Sequence, residues 1–119
     1  MLVECAFLIP SIRDSDRRPH SEILWRHFSA ELIRLFGGGQ GPRHRLFMTP
    51  EIVPGGWVPP GEHALIVDGC WEFRVALDEE RLDELRGLLQ RVARSFDQRE
   101  IYLSVRGFVE GVGPGEEAL

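Results

Sequence analysis

Two groups of residues in this sequence have the types and spacing to do chemistry. Glu72 and Arg74 stand two apart in the run Trp71-Glu72-Phe73-Arg74-Val75. Tyr102 and Arg106 stand four apart in Ile101-Tyr102-Leu103-Ser104-Val105-Arg106. In a strand, residues two or four apart share a face, so each pair stands on one side of its strand. If the two faces meet, Glu72, Arg74, Tyr102 and Arg106 line a polar cleft. A carboxylate, guanidiniums and a phenol gathered there would bind a small acid or position a general base. The plainer outcome for the same residues is a cross-strand or intersubunit salt-bridge network.

The second group is the polar stretch 11–20, Ser-Ile-Arg-Asp-Ser-Asp-Arg-Arg-Pro-His. Arg13, Arg17 and Arg18 precede an expected helix start, with His20 and Ser21 as further donors. The free N–H groups and positive dipole end of a helix attract anions, so a small anionic ligand fits here. Asp14 and Asp16 offset much of that charge, and a solvated loop accounts for the same residues. Trp57, flanked by glycines and prolines, is either a lid over a pocket or a plug against the sheet or a partner. Arg13, Arg17, Arg18, His20, Trp57, Glu72, Arg74, Tyr102 and Arg106 form the candidate ligand-binding set of nine.

Other chemistry finds little support. His20, His27, His44 and His63 lack partners at metal-ligand spacing, so no metal site is expected. The run Gly37-Gly38-Gly39-Gln40-Gly41 follows a helix end and lacks the Gly-Lys-Ser/Thr of a phosphate loop. Phosphates bind helix starts, so this run reads as a stop and a turn. Ser29 and Ser104 have no readable histidine partner, which leaves hydrolase chemistry unsupported. Cys5 and Cys70 read as buried small apolar residues rather than a disulfide framework. No cofactor and no catalytic residue is assigned.

All 14 basic residues are arginine, the mark of a GC-rich codon bias. The net charge of −5 opposes broad nucleic-acid binding, which needs a basic face. No apolar run approaches the roughly 20 residues that a membrane helix needs. No basic n-region precedes the first apolar run, so a cytoplasmic location is expected.

The elements that must position these groups follow from hydrophobic period. Leu2 to Ile9 is apolar on both faces, as in an interior strand. Ser21 caps a helix with Trp25, Phe28, Leu32, Leu35 and Phe36 at three and four spacing. Arg45 to Thr49 is a short strand, and residues 50–62 form a Pro/Gly-rich turn or insertion. His63 to Leu77 reads as one long strand bent at Gly69, or as a hairpin at Asp68-Gly69. Asp78 is expected to cap a helix striped by Leu82, Leu85, Leu89, Val92, Ala93 and Phe96. Glu100 to Val109 is the last strand, and 111–119 reads as a flexible C-terminal tail.

The order β–α–β–β–α–β predicts an α+β fold over residues 1–110 as a single domain. It is the ferredoxin-like sandwich, a four-stranded antiparallel sheet with two helices on one face. The open face, carrying Leu2, Ala6 and Leu8, is too apolar for water, so a homodimer through that face is expected.

Leu35-Phe36-Gly37-Gly38, Gly56-Trp57 and Phe96-Asp-Gln98-Arg-Glu-Ile101-Tyr102 resemble small bacterial proteins of ferredoxin-like fold. That family has no assigned chemistry, so the resemblance implies a fold and no catalytic residue; the long 50–62 segment departs from it. The leading expectation is a non-catalytic, oligomeric module binding a small ligand or a protein. An alternative is a small enzyme of the dimeric α+β barrel kind, with its pocket between sheet and helices. A nucleic-acid-associated protein is the further alternative.

Overall fold

A computed structural model describes residues 1–37, 44–57 and 66–119, with side chains described for 1–36 and 69–119. Strand β1 (Leu2–Pro10) alternates, and Val3, Cys5, Phe7 and Ile9 are all buried. Strands β3 (Ile66–Asp78) and β4 (Ile101–Val105) flank it, both antiparallel. Register sets Phe7 opposite Phe73 and Leu103, so the buried parity continues across three strands. Strand β2 (His44–Trp57) pairs outside β3, and β5 (Phe108–Val112) pairs outside β4. The sheet order is β2-β3-β1-β4-β5.

Helices α1 (Glu22–Leu32) and α2 (Leu82–Ser95) cover the apolar face. α1 contributes Phe28 and Leu32, and α2 contributes Leu85, Leu88, Leu89, Val92 and Ala93. Phe7 stacks on Phe73 at 5.4 Å, and Trp25 meets Phe96 edge-on at 4.8 Å. Offset and edge contacts of this kind each add about 0.5–1.5 kcal/mol beyond area burial. The expected ferredoxin-like arrangement is present: four antiparallel strands in the order β2-β3-β1-β4, with both helices on one side. No helix of the described residues is long and apolar enough to cross a membrane.

Local chemistry explains the helix ends. Ser21 Oγ accepts from Leu24 N at 3.2 Å, the expected cap of α1. Asp78 departs from its expected role. A 3-10 turn, Glu79–Arg81, intervenes before α2, and the Asp78 carboxylate faces the Met1 amine at 3.7 Å instead. Glu31 of α1 accepts from Arg34 and from Arg91 of α2. Those bonds, Arg34 first, pull its carboxyl down to about 2 and tie the helices together.

Three boundaries differ from the expectation, each for a physical reason. β2 runs on through Pro50 and Pro54 rather than ending at Thr49. It is an edge strand with a register shift between Phe47 and Glu51, which is where proline is tolerated. The remainder of the Pro/Gly-rich segment lies outside the described residues. β3 keeps to the single-strand reading through Asp68-Gly69: those two residues pair with β2, and from Cys70 onward the strand pairs with β1 as well. The expected last strand is two, because the chain reverses at Arg106 (φ 51°) and Gly107 (φ 83°). Two consecutive positive φ values make the primed turn that matches strand twist. Residues 113–119, expected as a flexible tail, return along α2: Arg94 Nη1 donates to Gly115 O at 3.1 Å and Leu119 N to Ser95 Oγ at 2.8 Å.

Two glycines should respond oppositely to alanine. Gly107 sits in the left-handed region, where a Cβ costs about 1–2 kcal/mol. Gly87 is inside α2 with open space where a Cβ would go. Gly87→Ala should therefore gain about 0.5–1 kcal/mol and Gly107→Ala lose stability, both read by urea unfolding.

Candidate functional site

The helices bury one parity of the sheet, so the other parity faces outward. On that face lies a cleft of about 830 Å³. Antiparallel register builds it in rows. Leu8 lies opposite Glu72 on one side and Tyr102 on the other. Ala6 lies opposite Arg74 and Ser104, and Ser104 opposite Val109. Directly opposite residues stand about 4.5–5.5 Å apart, so each row spans a small molecule.

Four of the nine sequence candidates, Glu72, Arg74, Tyr102 and Arg106, line this one cleft. Arg74 Nε donates to Glu72 Oε1 at 2.6 Å. Arg106 sits at the hairpin turn, and its Nη1 donates to Glu79 Oε1 at 3.2 Å at the rim. Tyr102 is 42% exposed, so much of its ring is open to solvent. Sequence reasoning missed Glu4, Ser104 and Val109, which also line the cleft. Parity alone could have supplied Ser104, which shares a face with Tyr102; Val109 needed the Arg106-Gly107 turn to be read as a hairpin.

The remaining candidates lie elsewhere. Arg13, Arg17, Arg18 and His20 belong to the segment beside the end of α2. There Arg13 Nε lies 3.4 Å from Asp16 and 3.7 Å from Asp97. The Asp16 carboxylate also accepts the Arg18 amide at 3.0 Å. His20 turns inward against Trp25 and Phe96. Trp57 ends β2, and its side chain lies outside the described residues. The His44 side chain, His63 and the run Gly38-Gly39 also fall outside them. Among the described residues no three His, Cys, Asp or Glu side chains gather as metal ligands.

The electrostatics of the cleft are those of paired opposite charges. Glu4 and Glu72 face Arg74 and Arg106 over aliphatic Ala6, Leu8 and Val109. Such a surface recognises a ligand that carries both charges and an apolar or aromatic part. The Cys5 thiol, with its side chain in the core, is raised by burial and stays protonated, so it offers no nucleophile. The space between sheet and helices is filled by Phe7, Phe28, Phe73 and Phe96. The pocket expected there is thus replaced by one on the opposite face.

Two solved structures share the fold. A phage SAM lyase in complex with S-methyl-5'-thioadenosine aligns with TM-score 0.60 and 12% identity, covering 93% of this chain and 89% of that one. A phage SAM lyase in the apo state aligns with TM-score 0.53 and 14% identity, covering 98% and 92%. No family model and no curated protein matches this chain. Both neighbours are structures of an enzyme, which overturns the leading expectation of a non-catalytic binding module; the enzyme alternative stands closer.

The cleft residues should be separable from the fold. Exposed ion pairs contribute about 0–1 kcal/mol, so Glu72→Gln and Arg74→Gln should each move urea unfolding by no more than that. Leu103→Ala, on the buried face of the same sheet, should cost about 2–5 kcal/mol. Equal losses on both faces would mean that the pair holds the sheet together and handles no ligand.

Proposed function

We propose that this chain is a small enzyme that binds a sulfonium of the S-adenosylmethionine class in the open-face cleft. It cleaves that ligand at sulfur, releasing S-methyl-5'-thioadenosine. The observation that carries the reading is the cleft itself. An open aromatic ring, two guanidiniums and two carboxylates converge over an aliphatic floor, on a fold shared with a SAM lyase.

Each part of such a ligand has a counterpart. Arg74 and Arg106 suit its carboxylate, through charge-assisted hydrogen bonds. Glu72 and Glu4 suit its ammonium. Tyr102 offers a face for the purine, a contact of the kind that contributes about 1–3 kcal/mol per base. The aliphatic floor lies under the sulfur. When the carbon–sulfur bond breaks, its electron pair stays on sulfur and the positive charge there is lost. A transition state that disperses charge is favoured by an apolar surround over a carboxylate pressed against the sulfur. The four-carbon fragment is completed within the same molecule: its own carboxylate oxygen bonds to the carbon that leaves sulfur and closes a lactone, so no water is consumed.

A second copy laid over the open face belongs to this reading. It would seal the cleft and cover Leu2 and Tyr102, both partly exposed. Exclusion of water strengthens every charge interaction inside.

Calorimetric titration with S-methyl-5'-thioadenosine, and incubation with S-adenosylmethionine followed by mass spectrometry, tests the proposal. The expected outcome is binding of the first and conversion of the second. Tyr102→Ala should weaken binding of the thioadenosine by about tenfold or more. Arg74→Ala should weaken S-adenosylmethionine by about ten- to hundredfold, the worth of a charged hydrogen bond, and leave the thioadenosine unaffected. A folded protein that neither binds nor converts either compound would sink the reading.

A further inference from the structure

The segment between β1 and α1 is strapped to the corner that follows α2. Ser15 donates to Asp97 Oδ2 from its amide at 3.0 Å and also from its hydroxyl. The Arg99 amide donates to Asp14 Oδ2 at 2.7 Å, and Gln98 Nε2 to Ile12 O at 2.8 Å. The Asp14 amide donates to Asp97 O at 2.9 Å. The corner is held against its own preferences. Asp97 has φ 52°, in the left-handed region that favours glycine. Gln98 N donates to Ala93 O, and Asp97 N to Arg94 O, so the helix ends in a Schellman motif with an acid at its αL position. That acid sits at the negative end of the α2 dipole. The bonds from the strap offset both costs, and the Ser15 bonds are the first reason the Asp97 carboxyl lies below its usual range.

Under the strap lies His20, 9% exposed. Its Nε2 meets Pro10 O at 2.8 Å, so this nitrogen carries the proton and donates it. Its Nδ1 is buried and has no partner among the described residues. The Trp25 and Phe96 rings enclose it edge-on at 5.8 and 4.7 Å. A second proton would land on Nδ1, where no acceptor waits. The charged groups that face it are Arg13, Asp14 and Asp97. Arg13 opposes a second positive charge; Asp97 and Asp14 favour one, but the loss of hydration on burial outweighs them.

We propose that residues 11–20 form an acid-released strap, closed while His20 is neutral and opened when His20 takes a second proton. Opening would free Pro10 O and the Ser11 N–Gly69 O bond. These lie at the end of β1 beside the Leu8, Glu72 and Tyr102 row, so acid would loosen that end of the sheet. The inference stands apart from the proposed reaction, and its test needs no activity.

Burial, the largest influence, lowers the His20 pKa from its ordinary 6.5. The open form therefore binds the proton more readily. The advantage of the closed form is complete above pH 6.5 and shrinks as pH falls from there toward the closed-form pKa. The test is amide hydrogen exchange, corrected for intrinsic rates, at pH 7.5 and 5.5. Protection of Arg13, Asp14, Ser15 and Arg99 should fall by up to about tenfold, the linkage limit for one pH unit below 6.5. Leu88 and Leu89 in α2 should not change. His20→Gln cannot titrate, and its strap should show no such fall. Unchanged protection in the wild type, or an equal fall in His20→Gln, overturns the proposal. If that variant does not fold, the wild-type ring decides by NMR titration. His20 must titrate below 6.5 and in step with the loss of protection, and a value at or above 6.5 overturns the proposal.

Discussion

A sheet covered by helices on one face must sort its side chains by parity, because successive residues of a strand point to opposite sides. β1 bears this constraint hardest, since it is the central strand with a neighbour on each side. Val3, Cys5, Phe7 and Ile9 lie in the core, where Phe7 touches rings from both β3 and α1. A slip of one residue in its register would send Glu4 into that core and Phe7 to the outer face. The register is thus fixed by the helix side. The outer face inherits its arrangement without having been selected for packing. Leu8 between Glu72 and Tyr102, and Ala6 between Arg74 and Ser104, are consequences of where Phe7 must go.

The same sorting explains what the sequence disclosed. α2 was legible because its apolar stripe is long and continuous, and five of its residues are buried. β1 was legible as a run apolar on both faces, and the C-terminal half of β3 by alternation. The division of Glu100–Val109 into two strands was not, since Val105-Arg106-Gly107-Phe108 continues the alternation on paper. The chain turns on positive φ at two successive residues, Gly107 and Arg106, and arginine rarely takes that conformation. β2 was foreshortened because Pro50 and Pro54 look like breakers. They are so only in a strand bonded on both sides, and edge position is not written locally.

The cleft was half legible for a related reason. Parity within a strand placed Glu72 with Arg74, and Tyr102 with Arg106, from the sequence alone. Bringing the two pairs together depends on β1 lying between β3 and β4, a pairing of residues about 60 to 100 positions apart. The fold order implied it, and no local signal does. The 11–20 arginines went the other way. Their charge density looked like an anion site, yet Asp14, Asp16 and Asp97 meet that segment within the chain. Asp97 is distant in sequence, so its role in neutralising Arg13 could not be read from the loop.

The pairing of Glu72 with Arg74 bears on how the cleft could work. An ion pair between an exposed Arg74 and a half-buried Glu72 that still meets water is held loosely, because water competes for the partners and side-chain entropy opposes the contact. It is therefore a poor fastener and a good placeholder. Each charge keeps the other in position near the floor, and either can exchange its partner for a group of opposite sign on a ligand at small cost. A zwitterionic ligand offers both exchanges at once, returning a charged partner to each residue. A purely anionic ligand would satisfy Arg74 and leave Glu72 facing a like charge, and a purely cationic one would do the reverse. Under the proposed function, the same arrangement that pairs these charges with each other would select against singly charged ligands. Beside the pair, the Tyr102 ring and the Leu8 side chain supply the apolar contact that charges alone cannot. A ligand that joins a zwitterion to a flat ring meets all of these demands on one row of the sheet.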